Sequence, residues 1–214
     1  MKNKYRLLLF DLDGTLCDTD EMVVQSFLEM YKFYEPKVRR VREEIYYFSG
    51  PPIHETMKKE FPNYDLEEMV EAFRRISKEF YPSTVKEYPD EIKVLKALKE
   101  QGYLLGVVTN KGKPLTDYSL ELCHIDGLFD VVISASDVIN PKPDAEGVNK
   151  AMKLLGIKNK KEVLYIGDND IDYHTAANAG VDALLVTWGP RKINCLKQAK
   201  YSAKSYNEIG GLLL

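Results

Sequence analysis

Four carboxylates stand close together near the start of the chain, in the stretch FDLDGTLCDTD, at Asp11, Asp13, Asp18 and Asp20. They follow the apolar run YRLLLF at residues 5–10. An unbroken apolar run predicts a strand that is buried on both faces, as in parallel sheets covered by helices. The acids therefore begin where a central strand is expected to end, and carboxylates at such a place can serve as nucleophiles, proton donors or metal ligands.

Further polar residues follow the other apolar runs of the chain. They are Thr109 and Asn110 at the end of YLLGVVTN, Lys142 shortly after FDVVISAS, and Asp168 and Asp172 after EVLYIG. In an open parallel sheet, ligands bind beyond the carboxyl ends of the strands. We therefore expect these side chains to meet Asp11 and Asp13 at one edge of the sheet.

Three carboxylates at one edge require a cation. Two charges about 4 Å apart cost on the order of 4 kcal/mol at an effective dielectric constant near 20, so Asp11, Asp13 and Asp168 would repel one another. Hard carboxylate oxygens without a nearby His or Cys favour Mg²⁺, which usually binds through one or two carboxylates and a substrate phosphate. Lys142 would supply the remaining positive charge. The sequence predicts a magnesium site that receives a small phosphorylated substrate.

Strands and helices alternate from residue 86 onward, which predicts an α/β fold with a doubly wound parallel sheet. The strands are expected at 103–110, 129–136, 162–168 and 182–188, and the helices at 90–102, 114–122, near 145–155 and through TAANAG at 175–180. Gly102 suits the left-handed cap that ends the first of these helices.

Residues 18–85 interrupt this alternation with helical patterns only. Asp18 and Glu21 are spaced as in a capping box, and apolar stripes follow it at helical spacing. We therefore predict two units, an α/β core at residues 1–17 and 86–214 and a helical cap at residues 18–85. Because the insertion directly follows the acids, the cap is expected to lie over them as a lid.

Composition narrows the class of protein. The chain has 214 residues, of which 44% are hydrophobic and 29% are charged, and its formal net charge is -3. Lys and Arg are scattered along the sequence, so it does not indicate a basic surface for binding nucleic acid. No apolar run is long enough to cross a bilayer, and no membrane partner is expected. Three widely spaced cysteines without a CxxC pair favour reduced thiols in a cytoplasmic protein. The oligomeric state cannot be read from these features.

The motifs together resemble a known family. DLDGT, a strand ending in Thr109, Lys142 in KPD, and GDNDID are similar to the four ordered motifs of the haloacid dehalogenase superfamily, in particular its phosphoglycolate-phosphatase-like branch with a helical cap. The resemblance covers essentially the whole chain and implies a Rossmann-like core. The chain departs from the family in having KPDA where KPxP is frequent, and Asn169 where Ser or Thr is usual.

The resemblance implies roles for these residues. Asp11 would be the nucleophile that forms an aspartyl phosphate, and Asp13 would be the general acid and base. Thr109 and the Asn110 backbone would hold phosphoryl oxygens, while Lys142 would neutralise charge and orient Asp11. Magnesium would be held by Asp11, the Asp13 backbone carbonyl and Asp168. Asp172 would support these ligands without contacting the ion directly.

Two further residues are candidates for substrate contact. Gly14 would allow the tight turn that directs Asp13 back to the site. His54, in the cap stretch SGPPIHET, is the weaker candidate, because a surface His usually has no such role.

Several functions remain open at this point. The expected activity is a magnesium-dependent phosphatase, with phosphoglycolate, pyrophosphate or a nucleotide among the possible substrates. A phosphomutase would keep every catalytic residue and differ in its cap. A dehalogenase normally lacks the second acid, so Asp13 argues against it. A receiver-type signalling module also uses an aspartyl phosphate, but it is shorter and has no helical lid.

Overall fold

The computed structural model describes residues 4–214. Its strands are β1 (Leu7–Phe10), β2 (Cys17–Asp18), β3 (Lys86–Glu87), β4 (Leu104–Val108), β5 (Val131–Ile133), β6 (Val163–Gly167), β7 (Asp182–Val186) and β8 (Tyr201–Ala203). Its helices are α1 (Asp20–Tyr34), α2 (Arg42–Ile45), α3 (Ile53–Glu60), α4 (Leu66–Thr84), α5 (Glu91–Glu100), α6 (Lys113–Leu122), α7 (Glu146–Leu154), α8 (Asp170–Ala179) and α9 (Tyr206–Leu213).

Six strands form one parallel sheet in the order β5-β4-β1-β6-β7-β8. The chain builds outward from β1 through β4 and β5, then returns to the other side of β1 with β6. This reversal of strand order makes the carboxyl end of β1 the switch point at which such sheets bind ligands. The predicted doubly wound parallel sheet is confirmed.

Strand β1 is buried on both faces, as its apolar run predicts. Leu8 and Phe10 belong to a hydrophobic cluster that also takes in side chains of α5, α6 and α9, and Leu7 and Leu9 belong to a second cluster with α7 and α8. Because successive side chains of a strand point to opposite faces, this alternation places helices on both sides of the sheet. The four-residue strand thus fixes the position of the acids that follow it.

Helices α1 to α4 lie between β1 and β3 in the chain, as expected for the cap. Phe27 of α1 packs against Phe73 of α4 with ring centroids 5.0 Å apart, and against Phe48 at 4.8 Å. Strands β2 and β3 pair antiparallel, with Cys17 opposite Glu87, so the two ends of the helical insertion lie side by side. The division into residues 1–17 with 86–214 and residues 18–85 stays a prediction.

The local predictions were wrong at the start of α1. The predicted capping box of Asp18 and Glu21 is absent: Thr19 is the N-cap residue and makes no side-chain capping bond. Asp18 is still paired with Lys86 in β2, so the helix begins at Asp20, one residue later than that capping box predicts. Glu21 instead accepts hydrogen bonds from Gln25, at 2.7 Å, and from Arg42.

The three cysteines and the apolar character of the helices bear on the surroundings in which the chain folds. Cys17, Cys123 and Cys195 are all free and buried. Within residues 4–214, no helix combines the length and the apolar character that crossing a bilayer requires.

Candidate active site

Three buried acids meet at the carboxyl ends of β1 and β6. Asp11 directly follows β1, Asp168 directly follows β6, and Asp172 lies in the first turn of α8. One carboxylate oxygen from each lies within 4.8 Å of the other two, and all three residues are buried. The strand-end prediction is therefore correct for these three side chains.

Lys142 is the counter-charge of this cluster. Its Nζ donates to Asp11 Oδ1 at 2.6 Å and to Asp172 Oδ1 at 2.7 Å, and its side chain is only 3% exposed. Burial alone would lower the pKa of Lys142, but the charges of Asp11 and Asp172 raise it well above its usual value. Lys142 therefore remains an ammonium between the two acids.

Asp172 has both of its carboxylate oxygens engaged by the protein. Oδ1 accepts from Lys142, and Oδ2 accepts from the backbone N–H groups of Asp168, at 3.1 Å, and Asn169, at 3.0 Å. Asn169 is the N-cap of α8 and accepts from the N–H of Ile171, so the cap-and-N3 pair forms a capping box. Asn169, which departs from the residue usual in the family, thus keeps the turn intact.

Burial, with a smaller contribution from mutual repulsion, raises the proton affinity of these acids. Burial raises the pKa of Asp11 to about 7, with Lys142 opposing the shift and Asp172 adding to it. Burial also raises the pKa of Asp168 to about 6, against the effect of a neighbouring arginine. A cation bound beside the acids would favour their charged forms and reverse these shifts.

The oxygens that remain available fit a hard cation. Asp11 Oδ2 accepts no hydrogen bond within residues 4–214, and Asp168 Oδ1 has only a 3.5 Å contact from the Thr15 hydroxyl. Carboxylate oxygens without nitrogen or sulfur ligands suit Mg²⁺. Among these three acids, Asp11 and Asp168 therefore keep a carboxylate oxygen available to a metal, whereas both oxygens of Asp172 are already hydrogen-bonded by the protein.

Arg191 was not among the predicted site residues. Its guanidinium donates to Asp168 Oδ2 through Nε at 2.9 Å and also through Nη2, and through Nη1 to Asp20 Oδ1 at 2.5 Å and the Tyr46 carbonyl at 3.1 Å. Arg191 thus joins the end of β6 to the start of α1 and to the cap. It lies beyond the end of β7, so the strand-end argument, if extended to that strand, would have indicated it.

Lys111 was also missed, although it directly follows Thr109 and Asn110. Its Nζ lies 2.5 Å from Asp13 Oδ1, and its side chain is 8% exposed. Burial lowers the pKa of Lys111, but the charge of Asp13 and the neighbouring Tyr81 raise it overall. Asp13 is thus not part of the cluster formed by Asp11, Asp168 and Asp172 and has a cation of its own.

Thr109 and Asn110 lie where the strand-end argument predicts. Thr109 is buried, and its Oγ1 accepts from the Lys111 backbone N–H at 3.1 Å. The Asn110 side chain exchanges two hydrogen bonds with the backbone of Lys142, at 2.8 and 3.1 Å, and donates to the Gly50 carbonyl of the cap at 3.1 Å. The Asn110 backbone N–H has no acceptor within residues 4–214 and remains available.

Gly14 forms the turn that follows the acids. Its φ is +84°, and a Cβ there would lie 2.3 Å from atoms of both Arg191 and Asp168. Glycine is therefore required by the backbone and by the space. Its carbonyl accepts from Trp188 Nε1 at 2.9 Å, so Gly14 supports the loop.

His54 lies outside the site. Its half-exposed ring faces Glu67, with Nε2 3.4 Å from a carboxylate oxygen. Helix α3 begins at Ile53, which lines the cavity, and the next residue of a helix points about 100° away. The structure does not bring His54 to the acids.

A cavity of about 860 Å³ lies between the acids and the cap. Asp11, Asp13, Thr109, Asn110 and Lys111 line it from the core. The cap contributes an apolar wall that includes Met22, Phe27, Phe48 and Phe73, together with Arg74, Lys78 and Tyr81 of α4. The insertion therefore faces Asp11 and Asp13 across this cavity.

The family model for haloacid dehalogenase-like hydrolases matches residues 8–186, which carry all of these acids. The chain belongs to the haloacid dehalogenase-like hydrolases. Among curated proteins, the pyrophosphatase PpaX of Bacillus cereus strain B4264 is 38% identical over 181 residues, covering 85% of this chain and 82% of the relative. PpaX of Bacillus mycoides is 37% identical over 185 residues, covering 86% and 85%.

Solved structures share the fold, and one of them is a haloacid dehalogenase-like hydrolase by name. One from Bacteroides fragilis matches with a TM-score of 0.87 and 28% identity, over 98% of this chain and all of the other. A phosphatase structure from Clostridium difficile matches over the full length of both chains, with a TM-score of 0.80 and 26% identity. The family resemblance and the Rossmann-like core predicted from the motifs are confirmed, and the chain is a hydrolase of this family.

Proposed function

We propose that this hydrolase is a magnesium-dependent phosphatase that releases phosphate from a small phosphorylated metabolite through an aspartyl phosphate on Asp11. The observation that carries the proposal is the position of Asp11 and the hydrogen bonding of its two carboxylate oxygens. It lines the cavity, one of its oxygens is held by Lys142, and the other accepts no hydrogen bond within residues 4–214. A carboxylate placed in this way can attack phosphorus and divide one difficult displacement into two easier ones.

Magnesium would be held by the carboxylates of Asp11 and Asp168 and by the Asp13 backbone carbonyl. Asp172 would orient the residues around the ion. The ion would neutralise the crowded acids and polarise the phosphoryl group. Lys142 would hold Asp11 in place and balance charge on the transferring group. Thr109 and the backbone N–H of Asn110 would bind phosphoryl oxygens, as in other sites that stabilise phosphoryl transfer by positioned donors.

Asp13 would give a proton to the leaving oxygen and later take one from the water that hydrolyses the intermediate. Its environment supports this separate role, because its cationic partner is Lys111 rather than the Lys142 that serves Asp11. Two carboxylates that differ in their partners can divide the tasks of nucleophile and acid. The tight turn at Gly14 would direct the Asp13 side chain toward the substrate.

The relatives support the substrate class. Pyrophosphatase PpaX is named for its action on pyrophosphate, and a small phosphorylated compound fits a cavity bounded by acids and cations. A phosphomutase would use the same residues, and retention of a bisphosphate rather than phosphate release would reveal it. The three free thiols support a cytoplasmic location.

Phosphate release from a panel of phosphorylated metabolites, including phosphoglycolate, pyrophosphate, nucleotides and sugar phosphates, tests this proposal. We expect turnover of at least one compound with Mg²⁺ and none after exhaustive chelation, because the acids need a cation to accept an anionic substrate. Ca²⁺, which prefers more ligands and longer bonds, should bind but support little turnover. Full turnover after chelation would contradict the proposal.

A further inference from the structure

A thiol and an imidazole lie in contact where helix α8 meets the loop between β7 and β8. Cys195 Sγ lies 3.7 Å from His174 Nε2. Cys195 is 7% exposed, and His174 stands at an exposed position of α8. Neither residue lines the cavity, and the proposed reaction uses neither of them.

The distance between the two atoms fits two ligands of one metal ion. A tetrahedral Zn²⁺ has Zn–S and Zn–N bonds of about 2.3 and 2.0–2.1 Å, which places the two ligand atoms about 3.6 Å apart. A hydrogen bond between a thiol and an imidazole has a similar length. The groups around the pair therefore decide which of the two arrangements the chain favours.

The carboxylate of Asp170 lies beside the pair. Asp170 is the first residue of α8 and His174 follows four residues later, so both side chains lie on one face of the helix. Asp170 Oδ1 accepts from the Cys195 backbone N–H at 2.8 Å, and Oδ2 accepts from Asn194 Nδ2 at 2.7 Å. A carboxylate oxygen that accepts one hydrogen bond keeps a second lone pair, so Asp170 can still bind an ion.

A rotation of the Asp170 side chain would complete the set of ligands. Within residues 4–214, only Asp11, Asp168 and Asp172 bring three such ligand atoms within 4.8 Å of one another. The sulfur of Cys195 and the nitrogen of His174 are therefore already in place, and the carboxylate has to turn toward them. Zinc-binding helices also present ligands at positions i and i+4 of one face.

The charge at this place favours a cation over a reactive thiolate. Burial, together with Asp170, raises the pKa of the Cys195 thiol, which opposes nucleophilic chemistry at the sulfur. A divalent ion has the opposite effect, because it deprotonates a thiol that coordinates it and neutralises the carboxylate nearby. The same acid that disfavours a free thiolate thus attracts a metal ion.

We propose that Cys195, His174 and Asp170 form a second metal site, which takes a borderline-soft divalent ion of the Zn²⁺ class. Sulfur and imidazole ligands favour Zn²⁺ over Mg²⁺, which prefers oxygen ligands alone. Three protein ligands leave one tetrahedral position for water. This inference does not depend on the proposed phosphatase activity, since none of its ligands takes part in that reaction.

An ion at this site would hold the loop after β7 against α8. Arg191 belongs to the same loop, four residues before Cys195, and donates to Asp168 and to the Tyr46 carbonyl. The site would therefore fix one end of the segment through which Arg191 joins core and cap. Its expected role is structural.

Titration of the full-length protein with Co²⁺ tests the site without relying on turnover. Co²⁺ can take the ligands of Zn²⁺, and a thiolate ligand gives it a charge-transfer band in the near ultraviolet. Ions bound to the active-site acids have oxygen ligands and do not contribute to this band. With Mg²⁺ in excess and a reductant that is not a thiol, we expect the band to saturate at one Co²⁺ per chain and to disappear when Zn²⁺ replaces the ion.

Variants assign the band to the three side chains. Cys195→Ser should abolish it, and His174→Ala should weaken Co²⁺ binding by about tenfold or more, since even losing a residue that supports a ligand costs that much. Asp170→Asn keeps a neutral oxygen and should weaken binding by about threefold.

Two control variants should keep wild-type binding. His54→Gln removes an imidazole that faces Glu67 instead, and Cys123→Ala removes a thiol buried in the first hydrophobic cluster. Circular dichroism checks the fold of every variant. If Cys195→Ser does not fold, His174→Ala still decides, because its position is exposed.

The inference is overturned if the wild-type protein gives no thiolate band with Co²⁺ in excess. It is also overturned if the band persists in Cys195→Ser, or if His174→Ala binds Co²⁺ as tightly as wild type. Unchanged binding in Asp170→Asn would remove Asp170 from the set of ligands.

Discussion

Each acid of the DLD segment has its own lysine, brought from a different strand end. Lys142 Nζ lies 2.6 Å from Asp11, and Lys111 Nζ lies 2.5 Å from Asp13. Asp11 is buried among other acids, whereas Asp13 stands beside a cavity wall formed partly by the cap. Carboxylates two residues apart are therefore held in different surroundings, which suits different chemical roles.

Replacing Lys142 by Met should lower kcat for p-nitrophenyl phosphate by about 10²–10³-fold, the cost of losing one preorganised charge at a phosphoryl group. The variant also leaves Asp11 and Asp172 without their shared cation, so circular dichroism must first show that it folds. Lys113→Met, which removes a lysine outside the cavity, should change kcat less than twofold. A loss below tenfold in a folded Lys142→Met protein would show that Lys142 acts only in structure.

At the scale of elements, three core side chains hold one stretch of the cap. Arg191 donates to the Tyr46 carbonyl at 3.1 Å, Asn169 donates to the Ser49 carbonyl at 3.2 Å, and Asn110 donates to the Gly50 carbonyl at 3.1 Å. Each donor stands in the loop after a different strand of the sheet. Direct hydrogen bonds thus connect this stretch of the cap to the loops that carry the site residues.

Arg191→Met should destabilise the protein by about 3–5 kcal/mol, because it leaves Asp168 and Asp20 buried without their shared cation. Urea unfolding at neutral pH measures this change. Arg6→Met is the control, since Arg6 forms an exposed pair with Glu162 and such pairs contribute about 1 kcal/mol or less. Equal losses for the two variants would show that the Arg191 network does not hold cap and core together.

Sequence reasoning located the elements that local pattern determines and missed those that tertiary packing determines. The apolar runs before Asp11 and Asp168 are strands, because burial on both faces leaves an unbroken hydrophobic signal. Strand β8 has three residues and no apolar run, and α9 contains Gly210 and Gly211, which weaken a helical pattern. Ser205 and Glu208 nevertheless carry a capping signature for α9 that could have indicated it.

The same limit applies to the site. Asp11, Thr109, Lys142 and Asp168 were predicted because each follows a recognisable strand. The pairing of Lys111 with Asp13 joins residues 98 positions apart, and no local pattern encodes such a contact. The position of Lys111 after Asn110 was visible in the sequence, but only the fold shows which acid it meets.

At the scale of the whole molecule, Glu91 is a buried acid that forms no ion pair with any side chain of residues 4–214. Its side chain is inaccessible to solvent, Oε2 accepts from the Tyr88 N–H at 3.0 Å, and Oε1 has no partner within residues 4–214. Burial raises the pKa of Glu91 from 4.5 to about 8. The folded state therefore holds this proton at pH values where the unfolded chain has lost it.

Stability should consequently fall as pH rises from about 4.5 to about 8, by an amount on the order of 2–4 kcal/mol for this group. Glu91→Gln keeps an acceptor for the Tyr88 N–H but cannot ionise, so its stability relative to wild type should increase between pH 5 and pH 8.5. Urea unfolding at both pH values measures the difference. Glu100→Gln, at an exposed position at the end of the same helix, should show no such increase, and an equal response of the two variants would refute the assignment.

In the proposed mechanism a covalent phosphoenzyme forms on Asp11, and Asp13 is the acid and base. Rapid quench of Asp13→Asn with p-nitrophenyl phosphate and Mg²⁺, followed by mass measurement of the Asp11 peptide, tests it most directly. The nitrophenolate needs little protonation, so the first step should survive better than hydrolysis, which loses a base that typically contributes about 10²–10⁴-fold. We predict an added phosphoryl group on Asp11 that is labile to hydroxylamine, and none in Asp11→Asn. An unlabelled Asp13→Asn protein together with an Asp11→Asn protein that still hydrolyses substrate would contradict the account.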